Sequence, residues 1–290
     1  MAAEVMALAR DRVRCVDATV GLGGHAVLLA RPGTTFLAID RDPEALEAAQ
    51  QRLAGTGSWI LGQFGDSKVL DRVDAFEPDF IMLDLGVSSM QLDRTDRGFS
   101  FRVGAPLDMR MSRLGDTAAD LLESLSPREL ERVFGDYGDE RRARRLATVV
   151  ARRRQRRPFT VADDFVNAIR ETLGARAGPP DFARLFQALR IAVNDELEQI
   201  RVALPRLREA LVAGGTLAVI SYHSGEDRIV KHLFRDWARV CVCPPEQPTC
   251  TCRGAPLGTL LTPKPQRPSP GEVEANPRAR SARLRAFGVQ

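Results

Sequence analysis

Two hydrophobic periods alternate along the first third of the chain. Short apolar runs of strand length at 13–18, 35–40, 59–64 and 79–85 are separated by stretches with helical spacing at 22–30 and 43–53. Strands alternating with helices in this way predict βαβ units and a parallel sheet covered on both faces. The pattern changes at about Arg97. From there to about Gln199 no strand is predicted, and helical segments follow one another at 126–134, 140–154 and 162–173. A helix over 194–213, closed by Gly214 and Gly215, leads back to a strand at 215–221 and then to a helix from about 227 to 240. Beyond Pro244 the chain is rich in proline, glycine and arginine until a last short strand at 282–287. The expected architecture is an α/β core of residues 1–96 and 200–290 carrying an all-helical insertion of residues 97–199.

Composition narrows the class. The 290 residues are 44% hydrophobic and 28% charged, ordinary globular usage that excludes collagen-like, coiled-coil and wholly disordered chains. Glu4, Arg10, Asp11, Arg12 and Arg14 interrupt every early apolar run, so no secretory signal is read, and no window is apolar enough to span a membrane. Cys15 stands alone, while Cys241, Cys243, Cys250 and Cys252 form a tight cluster. That is not the spread framework of a small disulfide-bonded protein, and a reducing cytoplasm is the expected compartment. The paired Cys-x-Cys segments are either a structural zinc site or reduced surface thiols.

The net charge is only +4, but its distribution is uneven. Arg141, Arg142, Arg144, Arg145, Arg152, Arg153, Arg154, Arg156 and Arg157 fall in one predicted helix and its exit, with only Asp139 and Glu140 close in sequence to pair with them. Such a run predicts contact with a polyphosphate. Arg278, Arg280, Arg283 and Arg285 are expected to form a second basic patch.

Candidate chemistry gathers where strands end. The first strand runs into Val16-Asp17-Ala18-Thr19-Val20-Gly21-Leu22-Gly23-Gly24-His25, and the second ends at Asp40. Glycines at a strand-to-helix turn admit a ligand close to the backbone, and an acid at the end of the next strand suits a ribose diol. A dinucleotide and S-adenosylmethionine both fit this pattern. Asp17 and Thr19 favour the second, because a carboxylate near the turn suits an amino acid moiety. The fourth strand ends in Asp84-Leu85-Gly86-Val87-Ser88-Ser89-Met90-Gln91, at the rim of the same crevice. His223, in Ser221-Tyr222-His223-Ser224-Gly225-Glu226-Asp227, is either an active-site or a structural histidine, and Asp227, Arg228 and Lys231 are equally read as an N-capped helix with a surface ion pair.

With these segments in view, the chain resembles the small-subunit ribosomal RNA cytosine N4-methyltransferases, the bacterial RsmH or MraW family. The resemblance rests on Asp17 to His25, Ala38 to Pro43, Asp84 to Ser89 with Gln91 to Asp93, Arg97 to Phe101 and Pro106 to Met111. It continues through Phe186 to Ile191 with Asn194 to Leu197, Ile220 to Lys231 and Asn276 to Ala282, so it spans nearly the whole chain. It implies a Rossmann-like, class I S-adenosylmethionine-dependent methyltransferase with a helical insertion that recognises RNA, methylating N4 of a decoding-centre cytidine in 16S ribosomal RNA, within the small subunit. Carried over by motif, the cofactor residues are Gly23, Gly24, His25, Asp40, Phe64, Asp84 and Gln91. Asp84, Ser88 and His223 are the catalytic candidates, and Arg97, Arg110, Arg145, Arg153, Arg278 and Arg280 the RNA-binding ones. The chain opens at Met1-Ala2-Ala3-Glu4, as though partway through the family's usual His-x-Pro-Val-Leu segment, which implies a misplaced start or a shortened terminus.

Overall fold

The computed structural model of the protein describes residues 1–244, 246–247 and 249–290. In chain order the elements are α1 (Ala2–Ala9), β1 (Arg14–Asp17), α2 (Ala26–Leu29), β2 (Thr35–Asp40), α3 (Pro43–Arg52), β3 (Ser58–Leu61), α4 (Ser67–Phe76) and β4 (Phe80–Asp84). Six helices follow: α5 (Ser89–Asp93), α6 (Ala118–Ser124), α7 (Pro127–Arg132), α8 (Ala143–Arg154), α9 (Ala162–Leu173) and α10 (Pro179–Asn194). The chain closes with α11 (Glu196–Ala210), β5 (Thr216–Ser221), α12 (Ser224–Trp237), β6 (Gly258–Leu260), α13 (Pro270–Ala275) and β7 (Arg283–Val289). Among the described residues no helix is long and apolar enough to cross a membrane.

The chain divides into two compact units, Met1–Gly86 with Leu197–Gln290, and Val87–Glu196. The first is built on a seven-stranded sheet of order β3-β2-β1-β4-β5-β7-β6. Strands β1 to β5 run parallel, whereas β7 lies antiparallel between β5 and β6. This is the class I methyltransferase arrangement that the resemblance implies. The apolar β4 and β5 are buried nearly end to end, as parallel strands covered on both faces must be. Strand order reverses at β1, between β2 and β4, so a crevice opens at the carboxyl ends of β1 and β4, the usual ligand site of such sheets.

Two elements differ instructively from expectation. The helix read at 22–30 is reduced to Ala26–Leu29, because Gly21 and Gly23 adopt φ of +50° and +76°, outside the helical region. The strand read at 59–64 stops at Leu61, since Gly62 donates to the Asp40 carbonyl and Asp66 accepts from Gln63 N–H, turning the chain toward α4 and leaving Phe64 in a half-buried loop.

The second unit is helical, with only an isolated antiparallel bridge between Pro106 and Val161. Its core stacks Phe134 on Phe165 at 5.7 Å and sets Phe101 edge-on to Phe182 and Phe186 at 5.8 and 5.9 Å. Asn194 organises the loop that holds Pro106 to Met111: its amide accepts from Met111 N–H at 2.9 Å and donates to the Met109 and Arg190 carbonyls at 2.8 and 2.9 Å. A buried amide with its bonds made in this way fixes a loop that has little regular structure of its own.

Candidate active site

The parallel strands of the first unit end at one edge of the sheet, and four of them deliver polar chemistry there. At the turn after β1, Gly23 is required by the fold, because a Cβ would strain its φ of +76° and press on Leu53 and Ala49 at 3.1 and 3.3 Å. Gly24 has neither restriction: a Cβ there would meet no protein atom within 4 Å. Bare backbone facing open space at a βα turn is the cradle that close approach of a cofactor needs. Asp40 ties this turn to β2, its Oδ2 accepting from Gly21 N–H at 2.7 Å and its Oδ1 from Asp42 N–H at 2.8 Å. Burial pushes the Asp40 carboxyl up against the pull of those two amides.

Asp17, at the end of β1, is only 1% exposed. Burial pushes its carboxyl up to about 7; His25 and the Thr19 amide oppose this, while Asp84 and Asp40 reinforce it. Thr19 connects the two strand ends that flank the crevice: its N–H donates to Asp17 Oδ1 at 3.2 Å, and its hydroxyl accepts from Asp84 N–H at 2.6 Å. Asp84 then faces two partners. The Tyr222 hydroxyl donates to its Oδ1 at 3.0 Å, and His25 Nε2 lies 3.5 Å from its Oδ2. Burial disfavours the charged imidazole, but the Asp84 carboxylate outweighs it, so the His25 pKa is raised. Its Nδ1 is buried without a protein partner.

Asp17, Asp40 and Asp84 therefore act on one another at this edge of the sheet, with His25, Arg41 and the Met1 ammonium as nearby cations, and burial and mutual repulsion make ionisation of Asp17 costly. A ligand carrying an ammonium and a sulfonium suits a buried carboxylate beside two others, whereas a pyrophosphate would face them with like charge. The orphaned His25 nitrogen, the open Gly24 backbone and this charge balance fit S-adenosylmethionine rather than a dinucleotide.

His223 is engaged differently. As N-cap of α12 its Nδ1 accepts from Glu226 N–H at 3.4 Å, and Glu226 Oε2 in return accepts from the N–H groups of Tyr222 and His223 at 2.8 and 3.2 Å. Its Nε2 is 3.1 Å from Glu226 Oε1 but misaligned for a hydrogen bond. In the second unit, Ser88 and Gln91 close a reciprocal cap on α5, with Gln91 N–H donating to the Ser88 hydroxyl at 3.2 Å and Ser88 N–H to Gln91 Oε1 at 3.0 Å.

The arginines fall into two groups. Arg97 is 2% exposed, and its guanidinium donates to the Arg110 and Met111 carbonyls at 3.1 and 2.9 Å, which places it inside the unit. Arg110 grips Asp108 through two bonds of 2.8 and 2.9 Å. Arg144, Arg145, Arg156 and Arg157 are exposed along and beyond α8. Arg153 pairs with Glu171 at 2.8 Å, and Arg152 pairs with the same carboxylate, an acidic partner on α9 that the local sequence around α8 does not reveal. A cavity of about 410 Å³ lies among Arg152, Arg153, Arg156, Arg157, Phe159 and Glu171.

Arg278 and Arg280 are exposed in the turn Pro277–Ser281. The expected second patch is smaller than the sequence suggests, because Arg285 and Arg283 are both spent on Asp227, at 2.7 and 3.0 Å. Asp227 is accordingly neither an N-cap nor a surface partner but the anchor of β7 on α12. Against burial, Arg285 and then Arg283 hold its carboxyl below the usual range. The contact at this crevice that sequence reasoning missed is Tyr222 on Asp84; the signal available was that Asp84 ends β4 and Tyr222 directly follows its parallel neighbour β5.

Comparison with known proteins places the chain in a family. The sequence profile of the MraW methylase family matches residues 2–289. The ribosomal RNA small subunit methyltransferase H of Gemmatimonas aurantiaca is 50% identical over 98% of this chain and 92% of its own length. That of Syntrophotalea carbinolica is 47% identical over 94% of this chain and 90% of its own. An rRNA methylase from Streptococcus thermophilus aligns in structure over 99% of this chain and 94% of its own, with a TM-score of 0.43 and 12% identity.

Proposed function

This chain belongs to the MraW methylase family of S-adenosylmethionine-dependent methyltransferases, and from that premise we propose that it methylates N4 of a decoding-centre cytidine in 16S ribosomal RNA. The observation that carries the reading is Asp84, presented at the end of β4 with one carboxylate oxygen bonded to Tyr222 and the other beside His25. Adenosylmethionine supplies the electrophilic methyl group. The cytosine amino group is a poor nucleophile, because its lone pair is delocalised into the ring. It needs an acceptor that aligns it and takes the proton the nitrogen must lose, and a carboxylate at hydrogen-bond distance provides both. Holding the partners in line is worth on the order of 7–11 kcal/mol of barrier.

Methylation at cytosine C5 would instead require a nucleophile such as a thiolate. Cys15 is buried in β1 with its thiol pushed up to about 12, chiefly by burial, and the other four cysteines lie in the loop after α12. None of the five ends a strand at the crevice, which favours the amino group as acceptor.

In this reading Gly23, Gly24, His25, Asp17, Asp40 and Phe64 hold the cofactor, and Asp84 is the proton acceptor. Tyr222 and His25 orient Asp84, while His223 positions Tyr222 through the Glu226 cap. Ser88 and Gln91 shape the loop entering the second unit. That unit binds the RNA, with Arg144, Arg145, Arg156 and Arg157 as phosphate contacts and Arg97 and Arg110 as internal supports. The target base must leave its stack to expose N4, and the site of action is the small subunit in the cytoplasm.

The test is transfer of labelled methyl from adenosylmethionine to small ribosomal subunits lacking the modification, with free ribosomal RNA and DNA alongside. Label in the RNA of the subunit supports the proposal. Label only in DNA, or none in protein that binds the cofactor, overturns it.

A further inference from the structure

Methyl transfer leaves the loop between α12 and β6 unused, yet this loop gathers four cysteines from two Cys-x-Cys segments. The Sγ atoms of Cys241, Cys243, Cys250 and Cys252 all lie within 4.8 Å of one another. Cys250 is 3.7 Å from Cys241, 3.9 Å from Cys243 and 3.4 Å from Cys252, and Cys241 and Cys252 are 3.8 Å apart. Four zinc–thiolate bonds of about 2.3 Å in a tetrahedron set their sulfurs about 3.8 Å apart. A disulfide would draw two of the sulfurs to about 2 Å, and an iron–sulfur cluster would spread its thiolates around a larger inorganic core.

Burial does not explain the convergence, because Cys241 and Cys250 are exposed and Cys243 and Cys252 only half-buried. Backbone amides point at the sulfurs instead. Val242 N–H donates to Cys252 at 3.4 Å, Gly254 N–H is also directed at Cys252, and the N–H groups of Thr251 and Cys252 are directed at Cys243.

We propose that these four cysteines form a closed, tetrahedral structural site for zinc. Four protein ligands leave no open position, so the ion is not a Lewis acid for the reaction but a clasp. It closes the loop that leaves the last turn of α12 and returns to β6, a strand of three residues at the edge of the sheet. The two ends of that loop already meet: Leu257 N–H donates to the Trp237 carbonyl at 2.8 Å, and the Arg253 guanidinium donates to the Trp237 and Arg239 carbonyls at 3.3 and 3.0 Å. The clasp therefore holds both ends of the loop against the sheet.

The experiment is elemental analysis of the full chain purified under reducing conditions without chelator, beside Cys250→Ser, Cys252→Ser and Cys15→Ser. One zinc per chain is expected in the parent and in Cys15→Ser, falling to near none in the two loop variants. In the parent, the loop thiols should resist alkylation until a chelator is added. A second readout does not depend on how the variants fold: cobalt(II) added to chelator-treated parent protein should give the intense visible bands of a tetrahedral thiolate complex. Four thiols that react freely with no zinc present, two disulfides in their place, zinc retained in Cys250→Ser, or a cobalt spectrum without thiolate charge transfer would each overturn the site.

Discussion

Asp17→Asn tests the electrostatics of the crevice. The substitution keeps shape and retains an oxygen to accept the Thr19 N–H, but it removes a group whose carboxyl is pushed from its ordinary 3.8 to about 7, chiefly by burial. Between those values the folded protein binds a proton that the unfolded chain has released. Stability is therefore lost as pH rises through this window and levels off above it. A displacement of this size corresponds to about 4 kcal/mol in total, of which more than half, about 2 to 3 kcal/mol, falls between about pH 5 and pH 8.

Urea unfolding of parent and variant across that interval reports Asp17 together with its effect on His25, because the groups that do not act on Asp17 titrate alike in both. The variant should gain about 2 to 3 kcal/mol on the parent between the two pH values. Its affinity for adenosylmethionine should fall, since the ligand ammonium loses an anionic partner. Parallel stability profiles for the two proteins would refute the reasoning and show Asp17 to be ionised in the ligand-free protein.

Further consequences can be checked separately. Gly24→Ala should leave the unfolding midpoint unchanged yet weaken adenosylmethionine binding about tenfold by calorimetry, whereas Gly23→Ala, forced to a φ of +76° against Leu53, should destabilise the fold by at least about 1 kcal/mol. Asp227→Ala leaves the buried Arg285 without its carboxylate and should cost about 3–5 kcal/mol near neutral pH by urea unfolding. Because the folded-state pKa of Asp227 is depressed, that contribution is present above the ordinary carboxylate range and disappears as pH falls through the folded value. The double substitution Arg156→Glu and Arg157→Glu should weaken RNA binding across sequences and flatten its salt dependence by about one unit per lost phosphate contact, with thermal stability unchanged.

The sheet was legible because its central strands are nearly continuous apolar runs. The pattern places β2 at its observed ends, Thr35 and Asp40, and α9 likewise at Ala162 and Leu173. The glycine turn, Asp40 and Asp84 were legible for the same reason: a parallel sheet sends the carboxyl ends of β1, β2 and β4 to one edge, so a polar residue closing each strand marks the crevice. Helix α10 was hidden by Gly178-Pro179-Pro180, which reads as a breaker, although proline is well suited to the first turn of a helix. β6 is too short to carry a period.

Pairings distant in sequence were invisible. Arg285 finds Asp227 across 58 residues and Arg153 finds Glu171 across 18, so charge runs that looked unpaired are partly neutralised by elements packed beside them. Arg97 reads as a basic residue in a loop, and only folding shows its guanidinium turned inward onto two carbonyls. Both effects arise because hydrophobic period reports which face a residue occupies but not which side chain it meets there.

The central claim concerns which atom receives the methyl group. Small subunits that have accepted label from adenosylmethionine would be stripped of protein, their RNA digested to nucleosides, and the labelled species separated by chromatography with mass detection. N4-methylcytidine as the labelled product, absent with Asp84→Ala, is the predicted result. Label in 5-methylcytidine or on a ribose 2′ oxygen, or full turnover by Asp84→Ala, would contradict the account.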